Sequence, residues 1–225
     1  MTSTSTLPDI GQRERAKEQR RQKIIRAVRD LIRETGDANP SMRLIASRAG
    51  VSIATAYNLF GSKQAVVLAV LEDRQNFKER FASLKARNPI DLVFAAHELA
   101  VSYYTHDPEF YRPLWRALLD SSGKSDMSIV PPERQAETRA AWRSVLLQAR
   151  DEGYLDKSES IEWLEHSLTH SATGAMLSWA TEALPTAALL PSAGLGYAYI
   201  LSAAATAKGR PTLKQRIASY KASLP

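Results

Sequence analysis

The chain has 225 residues, of which 44% are hydrophobic, and it carries 30 Lys and Arg against 24 Asp and Glu. This length is enough for one medium domain or two small ones with a substantial core. The absence of cysteine excludes disulfides and cysteine-ligated metal sites, and is typical of a reducing compartment. No uninterrupted apolar run reaches the ~18 residues that a membrane span needs, so we expect a cytoplasmic protein with no membrane partner.

The positive charge is concentrated at one end of the chain. Residues 1–64 hold 12 Lys and Arg against 6 Asp and Glu, whereas residues 65–225 hold 18 of each. Attraction to phosphate requires such a basic segment, although a solvated basic helix would show the same excess. Residues 1–12, MTSTSTLPDIGQ, are polar and lack the apolar core of a signal peptide, so we predict a disordered arm there.

The first predicted helix runs from Arg13 to Glu34 and ends at Gly36. Its apolar stripe has the i, i+3, i+4, i+7 spacing of a helix face and consists of Ile24, Ile25, Val28, Leu31 and Ile32. Before the stripe lie the basic residues Arg13, Arg15, Lys17, Arg20, Arg21 and Lys23. Such an extension would lie along phosphates or enter a minor groove, or else project into solvent.

Residues 41–63, SMRLIASRAGVSIATAYNLFGSK, predict two short helices over about 41–48 and 52–59. The apolar face of the first helix is predicted to contain Met42, Leu44, Ile45 and Ala49. Gly50 suits the left-handed conformation of a sharp turn, and Ser52 suits the N-cap of the second helix. A helix of two turns is not stable alone, so its neighbours must hold it. Two short helices across a glycine turn are typical of the helix-turn-helix motif, whose second helix fits the DNA major groove.

This stretch resembles the DNA-binding domain of tetracycline-repressor-type (TetR-family) transcription regulators from about Arg20 to Leu71. The matching residues are Leu44, Ile45, Ala46, Ala49, Gly50, Val51, Ser52, Thr55, Ala56, Tyr57, Phe60, Ser62 and Lys63. Met42 stands where the family often has a capping threonine, so we expect Ser41 to cap the first helix instead. The resemblance implies an all-α fold with a three-helix DNA-binding head joined by a long helix to a helical body. It also implies a transcription regulator without a cofactor and not an enzyme.

Helix geometry and the resemblance together predict the DNA contacts. The candidates are Arg43, Ser52, Ile53, Thr55, Tyr57, Asn58 and Lys63. Ser52 and Ile53 lie at the start of the second helix of the motif, where base contacts concentrate, and Ile53 suits a thymine methyl. The resemblance assigns Tyr57 and Lys63 to phosphates and Arg43 to a base or a phosphate. A core aromatic packed on the first helix is the alternative role of Tyr57.

Helical periodicity without strand alternation continues to the end of the chain. Further helices are predicted over Lys63 to Phe81, Pro89 to His106, Pro108 to Asp120, Pro131 to Glu152, from Ser158, and from about Pro191 to Ala207. The predicted domains are a disordered arm (1–12), a helix-turn-helix domain (13–71), a ligand-binding and dimerisation domain (72–207) and a basic C-terminal tail (208–225). That tail is predicted to be loose or a short helix, and residues 121–128 are predicted to be a polar loop.

The last two long helices, over 171–180 and 192–207, are rich in Ala, Gly and Ser and nearly uncharged. Small residues let helices approach closely, and a largely uncharged helix is buried on most sides. Burial within one subunit is one explanation and burial against a second copy is the other. The resemblance favours the second, a homodimer formed through these two helices.

The resemblance also implies that the body binds a small-molecule inducer. Candidate pocket residues are Phe94, Tyr103, Tyr104, Phe110, Trp115, Trp142, Met176 and Trp179. For any one of them ordinary core packing is the more common role, but as a set they favour an apolar or aromatic ligand. His166 and His170 have the i, i+4 spacing of a metal pair, but no third ligand is evident, so we predict no metal site.

These features favour a DNA-binding transcriptional regulator, a repressor that a small ligand releases from a palindromic operator. Its two heads would read half-sites about one helical turn, ~34–36 Å, apart. One alternative is a ligand-independent dimeric DNA-binding protein. The other is a small helical enzyme, but the chain has no glycine-rich phosphate loop, no G-x-S-x-G elbow and no evident acid–base set.

Overall fold

The computed structural model describes residues 10–72, 77–119 and 132–224. Regular structure in these ranges is helical, apart from an isolated antiparallel bridge between Leu155 and Ala205. The chain divides into two compact units, Met1–Gln75 and Asn76–Pro225, which we call the head and the body. None of the described helices combines the length and apolar composition that a bilayer crossing demands.

The head is built around its first helix. It contains α1 (Ile10–Thr35), α2 (Met42–Ala49), α3 (Ile53–Phe60) and α4 (Lys63–Glu72). The predicted apolar stripe of α1 is buried along its whole length, and α1 contacts each of the three shorter helices. The two-turn helices α2 and α3 are therefore held by packing on α1 rather than by their own helical propensity.

Side-chain caps and a left-handed glycine define the turn of the motif, as the sequence predicts. The Ser41 hydroxyl accepts the N–H of Leu44 at 3.3 Å, which confirms Ser41 as the N-cap of α2. The Ser52 hydroxyl accepts the N–H of Thr55 at 3.0 Å at the start of α3. Between them Gly50 has φ 65°, a conformation that strains any residue with a Cβ.

The core-facing side of α2 differs from the prediction at one position. Met42, Ile45 and Ala46 are buried, but Leu44 is 45% exposed. At ~100° per residue, Leu44 lies about 200° around the helix from Met42, on the opposite side. The prediction that Leu44 belongs to the apolar face is therefore wrong, since α1 covers only the arc of positions 42, 45 and 46.

The body is a bundle in which one helix is central. It contains α5 (Phe77–Ala82), α6 (Pro89–Thr105), α7 (Pro108–Leu119), α8 (Pro132–Asp151), α9 (Ile161–Ala180), α10 (Thr186–Ala203) and α11 (Arg210–Ser223). α10 packs against α6, α9 and α11. Phe94, Leu146 and Leu201 are among the fully buried side chains of the main core.

Three predicted segments fall wholly or partly outside the described residues. The helix predicted from Lys63 through Phe81 is described as α4 and α5, and residues 73–76 between them lie outside. The arm predicted over 1–12 lies outside except for residues 10–12, which begin α1. The loop predicted over 121–128 also lies outside the described residues.

The last long helix has different ends from those predicted. α10 begins at Thr186, not near Pro191, because Pro191 is buried within the helix, where its missing N–H removes one backbone hydrogen bond. The helix ends at Ala203, not Ala207, because the next residues bond the α8–α9 connection. There the Asp156 N–H donates to the Ala204 carbonyl at 2.8 Å, and the Thr206 N–H donates to the Tyr154 carbonyl at 3.1 Å.

The basic C-terminal segment is a helix, the second of its two predicted alternatives. α11 buries Leu213 and Tyr220 against the body. Arg216 pairs with Asp91 at 2.8 Å and with Glu98 at 3.0 Å, both on α6. These contacts fix α11 as part of the body.

Two glycines of α10 serve contacts inside the chain. A Cβ at Gly194 would lie 2.5 Å from the Tyr220 ring, and a Cβ at Gly196 would collide with the Ser171 hydroxyl of α9. The small residues of α10 are thus explained in part by close packing within one subunit. A contact with a second copy has to be argued from other residues.

Candidate nucleic-acid interface

The outward face of α3 carries three of the predicted contact residues and the neighbouring Ala54. Ile53 is 43% exposed, Tyr57 is 46% exposed, and Ala54 and Asn58 are also exposed. Ala56 is fully buried on the opposite side. Tyr57 is therefore not a core aromatic, and α3 presents an apolar side chain, an amide and a phenol to solvent.

Ser52 and Thr55 form the first turn of α3. Their hydroxyl oxygens lie 2.8 Å apart, and the Ser52 oxygen also accepts the Thr55 N–H. Both side chains are thus engaged in capping, and Thr55 is half-buried. These bonds fix the first turn of α3, from which Ile53 points outward.

The two arginines of α2 have different surroundings. Arg48 forms a bidentate pair with Glu34 of α1, with N–O distances of 2.8 and 2.7 Å. The hydrogen bond to Arg48 lowers the pKa of the Glu34 carboxyl, and the same bond raises the pKa of Arg48. Arg43 is exposed and forms no ion pair within the described ranges, so its guanidinium is available to a ligand.

The start of α4 is the second predicted phosphate position. Lys63 is its first residue, and the Ser62 hydroxyl caps the helix by accepting the Ala65 N–H at 3.1 Å. The positive end of the helix dipole and the Lys63 charge both favour an anion here. Lys63 itself is half-buried.

The basic turns of α1 lie beside the end of α3. The guanidinium of Arg21 sits 4.5 Å over the ring of the half-buried Phe60. A groove with a volume of ≈ 510 Å³ is present here. It is lined by Glu14, Arg15, Lys17, Glu18, Arg21 and Leu59. The basic extension thus borders the same surface as α3.

The structure divides most of the eight predicted pocket residues between two aromatic clusters of the body. In the first, the Tyr104 ring lies edge-on to Tyr111, Trp115 and Trp179, at centroid distances of 5.1, 6.1 and 6.5 Å. Phe110 joins it through Tyr111.

The second cluster lies around α10 and α11. Trp142 is edge-on to Tyr197 at 6.2 Å, and Phe94 lies 5.9 Å from Tyr220. Outside both clusters, Tyr103 accepts a hydrogen bond from Arg80 at 3.1 Å, and Met176 is buried. Among the described residues, the eight therefore do not form a single cluster.

A separate groove of ≈ 380 Å³ lies on the surface of α8 and α9. Its lining residues are Arg139, Ala140, Arg143, Glu162, Glu165, His166, Thr169 and His170. The rings of His166 and His170 are 6.3 Å apart. In the part of the chain that the structure describes, no three His, Asp or Glu side chains are grouped so that they could hold a metal ion.

Two polar side chains of the body, His97 and Arg112, have surroundings that the sequence does not predict. His97 is 3% exposed, its ring lies 4.4 Å from that of Tyr197, and burial lowers its pKa to about 4. Arg112 places its guanidinium 5.2 Å over the Trp179 ring. Neither signal is visible in the sequence, because the burial of His97 and the aromatic neighbour of Arg112 depend on which helices pack together.

A sequence profile of the family described as "Bacterial regulatory proteins, tetR family" matches residues 24–70. The matched segment contains the buried stripe of α1, the turn of the motif, α3 and most of α4. No curated protein sequence matches the chain.

Solved structures share the fold of the chain. A TetR transcription regulator from Haloarcula marismortui ATCC 43049 has a TM-score of 0.66 at 20% identity, covering 83% of this chain and 98% of that one. TylP, a TetR regulator from Streptomyces fradiae, has a TM-score of 0.64 at 20% identity, covering 92% and 99%. SmeT, the repressor of the Stenotrophomonas maltophilia multidrug efflux pump SmeDEF, has a TM-score of 0.64 at 20% identity, covering 83% and 91%. SmeT has also been solved in complex with triclosan.

Likenesses at about 20% identity establish the fold, and the profile match establishes the family of the head. Residues 24–70 of the head thus match the TetR family, and the chain shares the fold of solved TetR transcription regulators.

Proposed function

We propose that this protein is a repressor that binds a palindromic DNA operator as a homodimer and is released by a small apolar or aromatic ligand. The observation that carries the proposal is the outward face of α3, on which Ile53, Tyr57 and Asn58 are exposed. Arg43 on α2 is also exposed and forms no ion pair with the described residues. A protein that acts on chromosomal DNA works in the cytoplasm, and we place it there.

The exposed side chains divide by chemistry into base and phosphate contacts. Ile53 suits a thymine methyl, and the Asn58 amide suits an adenine edge. The Tyr57 hydroxyl, the Lys63 ammonium and the amides at the start of α4 suit phosphate oxygens. Arg43 suits either a guanine edge or a phosphate.

Two exposed aromatic residues support a dimer through the last two long helices. Trp163 on α9 is 72% exposed and Tyr199 on α10 is 49% exposed. Large aromatic side chains are enriched in protein interfaces, and a two-fold axis gives each copy the same surface. Such a dimer would present two copies of α3 to the two half-sites of a palindrome.

Release by a ligand requires that the ligand bind one conformation of the dimer better than the other. A ligand with higher affinity for a dimer whose heads are wrongly spaced would shift the population off DNA. The SmeT complex with triclosan shows that a protein of this fold holds an aromatic molecule. The aromatic residues of the two body clusters support the same class of ligand here.

One observation favours the alternative, a dimeric DNA-binding protein without a ligand. Phe94, Phe110 and Trp179 are fully buried and belong to packed aromatic clusters. Under this alternative no small molecule changes operator affinity. A screen of aromatic compounds for release of the bound operator therefore separates the two.

The test of DNA binding is selection of duplexes from a random pool by the purified protein, followed by affinity measurements at several salt concentrations. We expect a two-fold symmetric sequence to be enriched. Its affinity should exceed that of random duplex by 10³-fold or more, at the low end of the range for specific binding. A pool that shows no enrichment, or a protein with no affinity for duplex DNA at low salt, would refute the proposal.

A further inference from the structure

α7 carries two arginines one turn apart, Arg112 and Arg116, whose surroundings differ. Arg116 is exposed, donates to the Ala180 carbonyl and pairs with the Glu182 carboxylate. Arg112 is half-buried, and no carboxylate of the described residues forms an ion pair with it. A guanidinium withdrawn from water without a counter-charge is unfavourable, so this difference calls for an explanation.

The surroundings of Arg112 supply aromatic surface and donors but little acceptor capacity. Its Nη2 donates to the Thr186 hydroxyl at 3.1 Å, and the indole N–H of Trp179 donates to the same oxygen at 3.1 Å. The Nε atom of Arg112 is buried and has no hydrogen-bond partner among the described residues. One threonine oxygen thus serves two donors while a third donor, on the charged group, remains unsatisfied.

A second buried polar atom without a partner among the described residues belongs to His97 on α6. Nε2 of His97 is buried and has no partner in the described ranges. The backbone of Leu190, four residues after Thr186 on α10, interacts with this ring and favours its protonated form. Residues four apart lie on one helix face, so two incomplete polar groups lie along the same side of α10. Buried polar groups without a partner are rare in folded proteins, and each calls for an explanation such as a bound water or ion.

We infer that Arg112 anchors the ligand of the body, and that this ligand is a small organic anion with an apolar or aromatic part. Its acidic oxygen accepts the hydrogen bond of the Arg112 Nε–H and supplies the missing counter-charge. Its apolar part lies against the half-buried Tyr104 ring, which packs edge-on to Trp179. Trp179 itself is fully buried and is covered by the Arg112 guanidinium. The inference deepens the ligand response proposed above and rests on it.

The chemistry distinguishes this ligand from the other available classes. A cationic compound would meet the charge of Arg112 and is disfavoured. A purely apolar compound would leave the Nε–H and the charge unsatisfied. An inorganic anion would satisfy the charge but would leave the aromatic surface without a contact.

The experiment uses two fluorescent probes that differ only in one charged group. 1-Anilinonaphthalene-8-sulfonate carries a sulfonate, and N-phenyl-1-naphthylamine is the same molecule without it. Each is titrated into the full-length protein and into the variants Arg112→Gln, Arg112→Lys and Arg116→Gln. Arg116→Gln is the matched control. It also removes one guanidinium from α7, but the guanidinium of Arg116 already has a carboxylate partner.

We expect the wild type to bind the sulfonate probe at least fivefold more tightly than the neutral probe. Arg112→Gln should weaken the sulfonate probe at least tenfold and the neutral probe less than twofold. Arg116→Gln should change neither, and Arg112→Lys should retain part of the preference because it keeps the charge. Addition of 1-naphthoate should displace the sulfonate probe, whereas phosphate at the same concentration should not.

Several results would overturn the inference. The wild type could fail to bind the sulfonate probe, or could bind both probes with equal affinity. Arg112→Gln and Arg116→Gln could lose affinity for the sulfonate probe to the same extent. Phosphate could displace the sulfonate probe as effectively as naphthoate does. If Arg112→Gln does not fold, as judged by circular dichroism, the wild-type probe comparison and Arg112→Lys decide. Operator affinity is measured separately, so a protein that binds its operator but shows no anion preference contradicts this inference alone.

Discussion

His97 shows at the level of one residue how burial decides a charge state. Its folded pKa is about 4 against an ordinary value of 6.5, because burial disfavours the imidazolium and outweighs the hydrogen bond to Leu190. The unfolded chain therefore binds more protons than the folded chain between about pH 6.5 and pH 4. The stability of the folded state is unaffected by this group above pH 6.5 and falls as the pH is lowered through that window.

The prediction is that His97→Leu flattens the acid side of the stability profile. At pH 5 the wild type should lose about 2 kcal/mol relative to pH 7.5 through this group, an estimate that follows from the two pKa values. Urea unfolding at pH 7.5, 6 and 5 measures the loss. The control is His106→Gln, because His106 is exposed at the C-cap of the same helix and its removal should leave the acid loss in place. A His97→Leu profile parallel to that of the wild type would contradict the assignment.

The phosphate assignments are also made residue by residue. We expect the double variant Tyr57→Phe with Lys63→Ala to bind all duplexes more weakly, by tenfold or more at moderate salt, with the fold intact. Both groups contact phosphate in the proposal, so specific and random sequences should lose affinity alike, and the loss of one lysine contact lowers the salt slope by about one.

Fluorescence anisotropy with operator and random duplexes at four salt concentrations tests this prediction. The matched control is Lys214→Ala, which removes an exposed lysine from α11 of the body. Unchanged affinity of the double variant would show that the assignments are wrong, and a loss confined to the operator would assign the residues to bases instead.

At this scale the sequence predicts what local geometry decides. Ser41 and Ser52 were predicted as caps because capping depends on a hydroxyl three residues before a free amide. Leu44 was placed on the wrong face, since four nearby apolar residues do not all fit within one helical arc. The unpaired state of Arg112 could not be predicted, because it depends on which residues of α9 and α10 lie beside α7.

At the level of elements, the position of the first turns of α1 bears on whether they contact DNA. The sequence left two alternatives for these basic turns, solvent or phosphate. The structure places them beside the end of α3, where Arg21 covers Phe60 and Arg15 lines the adjoining groove. Because α3 is the proposed reading helix, this position favours a role along the DNA backbone.

We therefore predict that Arg13→Gln with Arg15→Gln weakens binding to operator and random duplexes to the same extent. If each arginine neutralises one phosphate, the slope of log affinity against log salt should fall by roughly 1.8. The control is Arg33→Gln, in the last turn of α1, whose guanidinium lies 3.5 Å from Asp30. Equal slopes for the wild type and the double variant would mean that these turns project into solvent.

Element boundaries were predicted well where the signal is local and poorly where a distant contact decides. Gly36 ends the first helix with φ 67°, as expected for a left-handed glycine. The end of α10 at Ala203 depends instead on hydrogen bonds to residues 154–156, which lie some 50 residues away in the sequence. Pro191 suggested a helix start, because its tolerance inside α10 cannot be inferred from spacing alone.

The dimer is the question that belongs to the whole molecule. Its sequence argument, the small residues of the last two long helices, is weakened by the structure, since Gly194 and Gly196 contact Tyr220 and Ser171 within one chain. The exposed aromatic residues supply a better argument. Trp163 and Tyr199 leave large apolar side chains in water on α9 and α10, and a second copy would cover them.

We predict that Tyr199→Glu converts a dimer into a monomer, because a symmetric interface would bring two carboxylates into an apolar contact. A monomer binds with one head, so the operator affinity should fall at least 100-fold through the loss of linked binding, while the melting temperature of the head stays unchanged.

Light scattering with size-exclusion chromatography gives the mass, and anisotropy gives the affinity. Ser219→Glu, on the exposed side of α11, is the control. A wild type that is monomeric at micromolar concentration, or a Tyr199→Glu dimer with full affinity, would require another surface to join the two heads. In that case the argument from α9 and α10 fails, but the assignment of α3 to DNA does not.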